Sequence, residues 1–409
     1  MKSRVRPFTD DDVAPVADLH RRVFRLGAPL SNEAEAQHRA YFRSTFLDGP
    51  WQDGECPSLV YVDDRERIGG FVGVATRRMA LNGRPLRMAV SSQFMVDSTP
   101  RSAVAAVRLL KAFLDGPQDL SLADEATDRA RALWESVGGE TARLLSLAWV
   151  RVLRPAAFAA SRARRSGAFA LPARAAAPIC RAVDAAATRL PGPFRLAAPA
   201  LVAAPMDGAA LHACISDTAH GLALRPCYDD RSASTVLDAV SRKEGAGELR
   251  RAVLRDARGR IAGWYLYHAT RGGVAEVVHV GARPESAANV LAHLFADAHR
   301  HGVTALSGRL DPALMGPIAR QSGFFHHRGE WVLVHARVKG AVDAVQKMLN
   351  LGIVSNGTDG VYGSYDTARV QTLINDYGPV FSARGKAPKS GLQPSDIFTN
   401  EFLDKTIKL

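Results

Sequence analysis

The sequence predicts an α/β (α+β) protein with two mixed-sheet domains, and three observations support this prediction. Strand-like and helix-like segments follow one another over the first 153 residues in the order β-α-α-β-β-β-α-β-α-β. A similar pattern recurs near residue 256. The 409 residues, of which 47% are hydrophobic, suffice for two cores. A mixed sheet with helices on both faces fits this order of elements.

The individual elements are predicted from hydrophobic spacing and from the residues at their ends. Thr9 is a suitable N-cap, and the acidic run 10–12 suits a first helical turn. Asn82-Gly83 predicts a tight hairpin, because type I′ turns need positive φ at both central residues. The predicted elements are strand 4–8, helix 10–23, helix 32–46, strands 58–63, 68–75 and 88–96, helix 101–114, strand 119–123, helix 127–137 and closing strand 144–152.

A long-period repeat indicates a second domain. The segment Asp63–Phe71 aligns with Asp256–Trp264, since each is a charged turn followed by isoleucine and a strand with glycine and an aromatic residue. Ser136-Val137-Gly138 later matches Gln321-Ser322-Gly323, and strand 331–335 follows the second copy. A period this long indicates duplicated domains rather than a solenoid, whose repeats span about 20–50 residues.

The segment between the two copies is strongly basic. Residues 151–200 contain nine arginines and one acid, Asp184, which gives a net charge of +8 (9 − 1). Alanine and arginine favour helix, so we expect helical pieces broken at Pro172, Pro178 and Pro191. This connector is either an element that faces an anionic surface or a solvated helical linker whose arginine stems cover apolar surface.

Whole-chain composition restricts the functional classes. The formal charge of +12 favours acidic partners, or else reflects an arginine-rich proteome. The four cysteines form no C-x-x-C pair, and the histidines do not converge, so neither a metal site nor a disulfide framework is predicted. No secretion signal and no apolar run of membrane-spanning length is visible, which predicts a cytoplasmic protein. No specific nucleic-acid recognition is expected.

The most informative segment is a strand-turn-helix transition. Strand Phe94-Met95-Val96 meets a turn with Pro100, and a helix begins near Arg101. Helix N-termini present unpaired N–H groups to phosphate, and an arginine adds a charge-assisted donor. The exposed end of such a strand can also bind an extended ligand.

This arrangement resembles the GCN5-related N-acetyltransferase (GNAT) superfamily. Val5-Arg6-Pro7-Phe8-Thr9 resembles its opening strand and helix start, and Arg101-Ser102-Ala103-Val104-Ala105-Ala106 resembles its R-x-x-G-x-G/A pyrophosphate loop. Thr127–Gly139, with Trp134 as the aromatic residue, resembles its next motif. The resemblance covers 1–153 well and 200–338 more weakly. It implies acetyl-CoA or another acyl-CoA as co-substrate, bound by residues 94–96, 101–106 and Trp134.

Two positions depart from the family pattern. Val104 replaces the first glycine of the loop, where a branched side chain would crowd the pyrophosphate. Trp134 replaces a tyrosine that many members use to protonate the leaving thiolate, and an indole N–H cannot do this. One alternative is therefore a fold kept for packing, with Val104 as a core contact.

Candidate bases and the second loop follow from the same comparison. Asp124, Glu125 and Asp128 follow the strand beside the expected acyl end, and an attacking amine must lose a proton to some base. Each could instead be a surface or capping residue. The matching loop of the second copy, Arg283–Ala288, has no glycine. This predicts that the second domain has a structural role or helps to shape the substrate site.

The C-terminal 70 residues carry a separate resemblance. Asn356-Gly357, Gly363-Ser364-Tyr365 and Phe398–Asp404 resemble the C-terminal end of substrate-binding proteins of nitrate/sulfonate/taurine ABC transporters. The lobes such proteins need are absent, so we expect a loosely packed tail, as in a gene fusion or a chimeric assembly.

The predicted organisation is 1–153 for the first GNAT-like domain, 154–199 for the basic linker, 200–338 for a degenerate GNAT-like domain and 339–409 for the tail. The predicted function is acyl-CoA-dependent N-acyl transfer, in its simplest form N-acetyl transfer, to an amine of a small molecule or peptide. The alternatives are a non-catalytic GNAT-like module that binds a ligand or protein, binding of membrane or nucleic acid through 151–200, and, less favoured, a solute-binding component.

Overall fold

The structure is a computed structural model, and it describes residues 3–24, 31–97, 102–165, 173–219, 222–243 and 245–337. Within these ranges the chain forms two mixed β-sheets, each with helices packed on both faces. The predicted α/β class is thereby confirmed. None of the helices in these ranges is long and apolar enough to cross a membrane.

Fifteen strands in the described ranges build the two sheets. They are β1 (Arg4–Pro7), β2 (Leu59–Val62), β3 (Ile68–Leu81), β4 (Arg84–Val96), β5 (Leu120–Ala126), β6 (Glu140–Thr141), β7 (Leu147–Val152), β8 (Val202–Ala204), β9 (Leu224–Pro226), β10 (Glu248–Arg255), β11 (Ile261–Ala269), β12 (Val274–Ala282), β13 (Ala305–Arg309), β14 (Phe324–His327) and β15 (Trp331–Ala336).

The helices pack on the faces of the sheets or form the connector. They are α1 (Val13–Phe24), α2 (Asn32–Phe46), α3 (Ser102–Leu114), α4 (Asp128–Ser136), α5 (Pro155–Arg165), α6 (Ala173–Arg189), α7 (Gly208–Thr218), α8 (Asp230–Ser241), α9 (Ala287–Arg300) and α10 (Met315–Arg320), with short 3₁₀ turns at Asp10–Asp12, Pro284–Ser286 and Pro312–Leu314. The predicted bounds of α2 coincide with those in the structure.

The order of the strands shows a reciprocal exchange between the two halves of the chain. The first sheet has the order β1-β2-β3-β4-β5-β15-β6, with β9 paired to β3, and the second has the order β14-β7-β13-β12-β11-β10-β8. Strand β15 therefore lies in the first sheet, between β5 and β6. Strand β7 lies in the second sheet, between β13 and β14.

The exchange corrects one prediction. Segment 144–152 was expected to close the first sheet, but β7 pairs antiparallel with β13 of the second. Hydrophobic alternation identifies a strand without identifying its partner, because partner choice depends on contacts between distant segments. The domain boundaries at 153 and 200 remain predictions, and the predicted tail lies outside the described residues.

The hairpin at Asn82-Gly83 is confirmed. Leu81 pairs with Arg84 across the turn, and the two central residues have φ values of 49° and 82°. Both flanking strands are longer than predicted. The lengthened end of β3 also pairs with β9, so this hairpin reaches the second half of the chain.

The sequence repeat corresponds to a repeated turn. Asp63 accepts hydrogen bonds from the backbone N–H groups of Arg65 and Arg67 (both 2.9 Å), and Asp256 does the same for Arg258 and Arg260 (2.9 and 3.0 Å). In both turns the second arginine also forms an ion pair with the aspartate. The repeat is thus visible in hydrogen bonding as well as in sequence.

The basic connector is helical as predicted, with one correction. Pro178 lies inside α6 instead of ending it. It occupies the sixth helical residue, where the missing N–H removes only one backbone bond near the start of the helix. Asp184, the single acid in the connector, is buried and accepts from the N–H groups of Ala156 (2.7 Å) and Ala157 (3.3 Å) at the start of α5. Binding of the connector to an anionic surface remains a prediction.

Aromatic side chains close the core between the first sheet and α1 and α2. Phe42, Phe46 and Phe71 are buried and their ring centroids lie 5.3–5.8 Å apart. A Cβ at Gly73 would lie 2.2 Å from the Phe46 ring, so only glycine permits this approach of helix to strand. This packing fixes α2 over the centre of the sheet.

The strand exchange predicts that a cavity in β15 destabilises the first sheet. Leu333 is fully buried in the core with α3, so Leu333→Ala should lower the free energy of unfolding by about 2–5 kcal/mol. Urea denaturation measures this loss, with Leu190→Ala at a 61% exposed position as the control. Hydrogen exchange should accelerate in β4 and β5. Acceleration confined to β12 and β13 would contradict the exchange.

Candidate active site

The centre of the first sheet contains a divergence between two parallel strands. Strands β4 and β5 pair from Met88 with Leu120 to Ser91 with Ala123, where the pairing ends. Strand β4 nevertheless continues to Val96 and β5 to Ala126. The two strands are not paired beyond this point, so a cleft separates them, and a strand edge of this kind can bind an extended ligand.

A β-bulge lies on the β4 side of this cleft. Gln93 and Phe94 together oppose the single residue Val72 of β3, and Gln93 has a φ of 51°. A positive φ at a residue other than glycine costs about 1–3 kcal/mol and is frequent at functional sites. The bulge turns the backbone and side chain of Gln93 away from regular sheet geometry.

A second bulge lies on the opposite wall. Asp124 and Glu125 of β5 together oppose Val332 of β15, and Glu125 has a φ of 56°. Both carboxylates are exposed. The two strands that form the cleft therefore both deviate from regular pairing close to the point where they separate.

The residues predicted to bind acyl-CoA divide between the cleft and the core. Phe94 and Val96 are partly buried against the α3 side of the sheet, whereas Met95 is buried against α1 and α2. Ala103 and Val104 are exposed and Ser102 is half-buried in the first turn of α3, whereas Ala105 and Ala106 are buried. Arg101 lies outside the described residues.

Val104 and Trp134 differ from their expected environments. Val104 is 53% exposed, which excludes the alternative that it is a core contact. Trp134 is 2% exposed in the core beneath the sheet, with its ring 6.1 Å from that of Phe113. An indole so enclosed offers almost no surface to a ligand; contact of Trp134 with a cofactor stays a prediction that this burial disfavours.

The three predicted bases have different surroundings. Asp128 begins α4 and accepts a hydrogen bond from Trp331 Nε1 (2.7 Å), which links α4 to the exchanged strand β15. Glu125 lies 3.9 Å from Arg309. Asp124 interacts electrostatically with Arg77. Burial lowers the pKa of Arg77, and its guanidinium lies 4.0 Å from the centre of the Trp51 ring. Asp124 and Glu125 thus lie at the cleft, and Asp128 has a structural partner.

A histidine pair beside the β4 bulge was not predicted. His20 of α1 and His38 of α2 are joined by a hydrogen bond of 3.2 Å between Nδ1 and Nε2. His20 Nε2 lies 3.1 Å from Gln93 Oε1, and Gln93 Nε2 donates to the hydroxyl of Tyr41 (3.3 Å). Their separation by 18 positions in sequence concealed this pair, because each histidine alone fits an ordinary helix face.

Burial sets the charge state of this pair. It lowers the pKa of both His20 and His38 below the ordinary value of 6.5, and the mutual repulsion of the two rings lowers that of His20 further. The positive charge of Arg21 also lowers the pKa of His38. Both rings are therefore neutral at pH 7 and can accept a proton.

The second sheet has the same divergence, but its surroundings are filled. Strands β12 and β13 pair only from Val274 to Val277 on the β12 side. His279, two residues further on, stacks on Trp264 with ring centroids 4.8 Å apart. Arg283, the counterpart of the first-domain loop arginine, forms an ion pair with Asp217 (2.6 Å). The Arg283 guanidinium is therefore already paired with a carboxylate.

A cavity of about 1040 Å³ borders Asp97 at the end of β4. Six acids and four arginines line it, so its formal charge is −2 (4 − 6). Several of these charges are paired with one another, including Arg6 with Asp12 and Arg22 with Asp97. An acidic cavity disfavours the binding of a diphosphate.

Comparison with known proteins identifies the fold. No protein-family model and no curated protein sequence matches the chain. Three solved structures each align with 82% of it: a probable N-acyltransferase from Enterococcus faecalis (11% identity, TM-score 0.50, 72% of that chain), a GCN5-related N-acetyltransferase from Kribbella flavida (13%, 0.50, 71%) and another from Anabaena variabilis (11%, 0.52, 73%). The chain therefore has the fold of GCN5-related N-acetyltransferases.

The histidine pair predicts a pH-dependent contribution to stability. Because the folded-state pKa values lie below the unfolded ones, the unfolded chain binds more protons as the pH falls through this interval. The contribution of the neutral histidine pair to the free energy of unfolding is therefore fully present above about pH 6.5 and is lost as the pH falls below it. A His20→Gln/His38→Gln variant should show a smaller loss of stability between pH 7.5 and 5.5 in urea denaturation than wild type. The control His326→Gln, at an exposed position, should lose as much stability between pH 7.5 and 5.5 as wild type does. If the double variant also loses as much as wild type, the histidine pair is not the source of the pH dependence.

Proposed function

We propose that the chain is an acyl-CoA-dependent N-acyltransferase that transfers an acyl group, in the simplest case acetyl, to the amine of a small molecule or peptide. The observation that carries this proposal is the cleft between β4 and β5, which opens beside a bulge in the strand that α3 follows in the chain. The GNAT-like fold supports the same reaction class.

In this proposal the acyl-CoA extends along the free edge of β4. The pantetheine amides pair with backbone groups of residues 94–96, as an added strand would. The diphosphate lies at the first turn of α3, where the N–H groups of Ser102 and Ala103 and the charge of Arg101 favour an anion. Val104 lies in that turn, and its exposed side chain narrows the space through which the diphosphate would approach the backbone N–H groups.

The reaction needs an oxyanion site and a proton acceptor. The amine nitrogen attacks the thioester carbonyl, and backbone N–H groups near Met95 and Val96 stabilise the oxyanion. The C–S bond then breaks, and the CoA thiolate takes a proton from the tetrahedral nitrogen. Asp124 and Glu125 remain candidate bases, whereas Asp128 is already bound to Trp331. Since Trp134 is buried and carries no acidic proton, the thiolate has no donor at that position.

The rival proposal is a non-catalytic GNAT-like module that binds a ligand or a protein. Two observations favour it: the branched, exposed Val104 in the first turn of α3, and an indole in place of a phenol at Trp134. In either proposal the second sheet, with Arg283 paired to Asp217, has a structural role.

Binding of acetyl-CoA tests the cleft directly. Val104→Asp places a negative charge where the diphosphate is expected, and Arg101→Glu reverses the proposed cationic donor. Each should weaken the calorimetric Kd for acetyl-CoA at least tenfold. Lys111→Asp is the matched control, because it changes charge on the same helix face about 10 Å further from the cleft; its Kd should stay within twofold of wild type.

Transfer is then assayed with phenylethylamine, free lysine, kanamycin and an unblocked tripeptide. Product is detected by mass spectrometry, because exposed Cys227 would react with a thiol reagent. Binding without transfer to any acceptor would favour the non-catalytic module. No binding of acetyl-CoA or of longer acyl-CoAs to wild type would overturn the proposed cofactor site.

A further inference from the structure

We infer that the His20–His38 pair accepts the proton that the amine loses during transfer, with His38 Nδ1 as the atom that receives it. This inference rests on the proposed function and assigns its base to α1 and α2 rather than to β5. It draws on four features of the described residues: the order of hydrogen bonds, the position of the β4 bulge, the balance of charges and the exposure of neighbouring rings.

The hydrogen bonds determine which nitrogens carry protons. Gln93 donates through Nε2 to Tyr41, so its Oε1 can only accept, and His20 Nε2 must donate to it. In a neutral ring His20 Nδ1 then accepts, and His38 Nε2 must donate to it. The lone pair of neutral His38 is therefore at Nδ1, which has no hydrogen-bond partner among the described residues.

The bulge connects this pair to the cleft. Gln93 is the bulged residue two positions beyond Ser91, where β4 and β5 separate. Its side chain extends to the α1–α2 side of the sheet and holds His20 and Tyr41. The backbone of Gln93, which has a positive φ, is thus held by two side-chain hydrogen bonds, and these connect β4 to His20 and Tyr41 two residues before Met95.

The charges around the pair compensate one another. On α1, Arg21 lies 3.4 Å from Asp18, and on the α2 side it lies 3.0 Å from Glu35. Glu35 in turn pairs with Arg39 (3.1 Å). The other arginines of the two helices are also paired, Arg22 with Asp97 and Arg43 with Asp10, and β4 contributes the uncharged Gln93. Each of these cations has a carboxylate partner; the field of Arg21 still lowers the pKa of His38, and that of Asp18 raises it.

Aromatic rings enclose the pair without sealing it. The Phe42 ring lies 5.4 Å from both imidazoles and is buried beneath them. Phe24 and Tyr41 flank the pair and are 49% and 42% exposed, so this side is open to solvent. An acceptor that reaches the bulge from here would pass the histidines.

The proton balance of the step is simple. An ammonium group gives one proton to His38 Nδ1, and its nitrogen lone pair forms the bond to the thioester carbon. As the C–S bond breaks, the second proton of the nitrogen goes to the departing thiolate. His38 then holds one positive charge, which it shares with His20 through their hydrogen bond, and it loses the proton to solvent.

The experiment measures kcat/KM against pH from 5.5 to 9 for the acceptor that wild type acylates fastest in the panel above. The variants are His38→Gln, His20→Gln, the double variant and Asp124→Asn as the competing base. The acetyl-CoA Kd and the Tm are measured for each. His38→Gln should lower kcat/KM about 10²–10³-fold, the range typical of a lost general base, while the Kd stays within twofold.

Further readouts separate proton transfer from a merely structural role. The ascending limb of the pH profile should disappear in His38→Gln but persist in Asp124→Asn. The double variant should be no slower than the slower single variant, because residues that act as a unit are not additive. Added imidazole should restore part of the lost rate to His38→Gln.

Three outcomes would overturn the inference. A wild-type pH limb in His38→Gln would do so, as would a rate loss that is matched by an equal loss of acetyl-CoA affinity. Loss of the limb in Asp124→Asn alone would assign the base to β5. In all three cases wild type still binds acetyl-CoA and turns over, so the proposed function would stand. A wild type that neither binds acyl-CoA nor acylates any amine would overturn both.

Discussion

The reciprocal exchange of β7 and β15 is the constraint on which the rest of the structure depends. Each half of the chain gives one strand to the sheet of the other half. Leu333 of β15 is fully buried in the first core, and Trp149 of β7 is 1% exposed in the second. Neither half could bury its own sheet if it were separated, because a row of backbone groups and apolar side chains would lose its partner.

The exchange also shapes the candidate site. Strand β5 can bulge at Asp124 and Glu125 because β15 contributes a single residue, Val332, opposite them. Trp331 of the same strand holds Asp128 at the start of α4 through a hydrogen bond of 2.7 Å. One wall of the cleft is therefore positioned by a strand that comes from more than 200 residues further along the chain. On the other wall the strain at Gln93 is balanced locally, by side-chain bonds to α1 and α2.

Local features of the sequence predicted local structure well. Asn82-Gly83 specified its hairpin because only a few residues tolerate positive φ, and the spacing of apolar residues specified α2. The repeated aspartate turns were visible because their hydrogen bonds join residues only two to four positions apart. The partner of β7 was not predictable in this way, since pairing is decided by contacts between distant segments. The same holds for His20 and His38, which are brought together only when α1 and α2 pack on Phe71. The burial of Trp134 was not predicted either, because a motif position does not reveal on which side of the helix the core lies.

The difference between the two sheets follows from the same exchange. In the first sheet the residue two positions beyond the last parallel pair is Gln93, whose side chain leads to a solvent-accessible histidine pair. In the second sheet it is His279, which is stacked on Trp264, and Arg283 is paired with Asp217. The second half of the chain is nevertheless necessary to the first sheet, because it supplies β15. Without β15 the strand that carries Asp124 and Glu125 would lose its neighbour. The strand exchange thus makes the first sheet depend on the half of the chain in which the corresponding arginine is already paired.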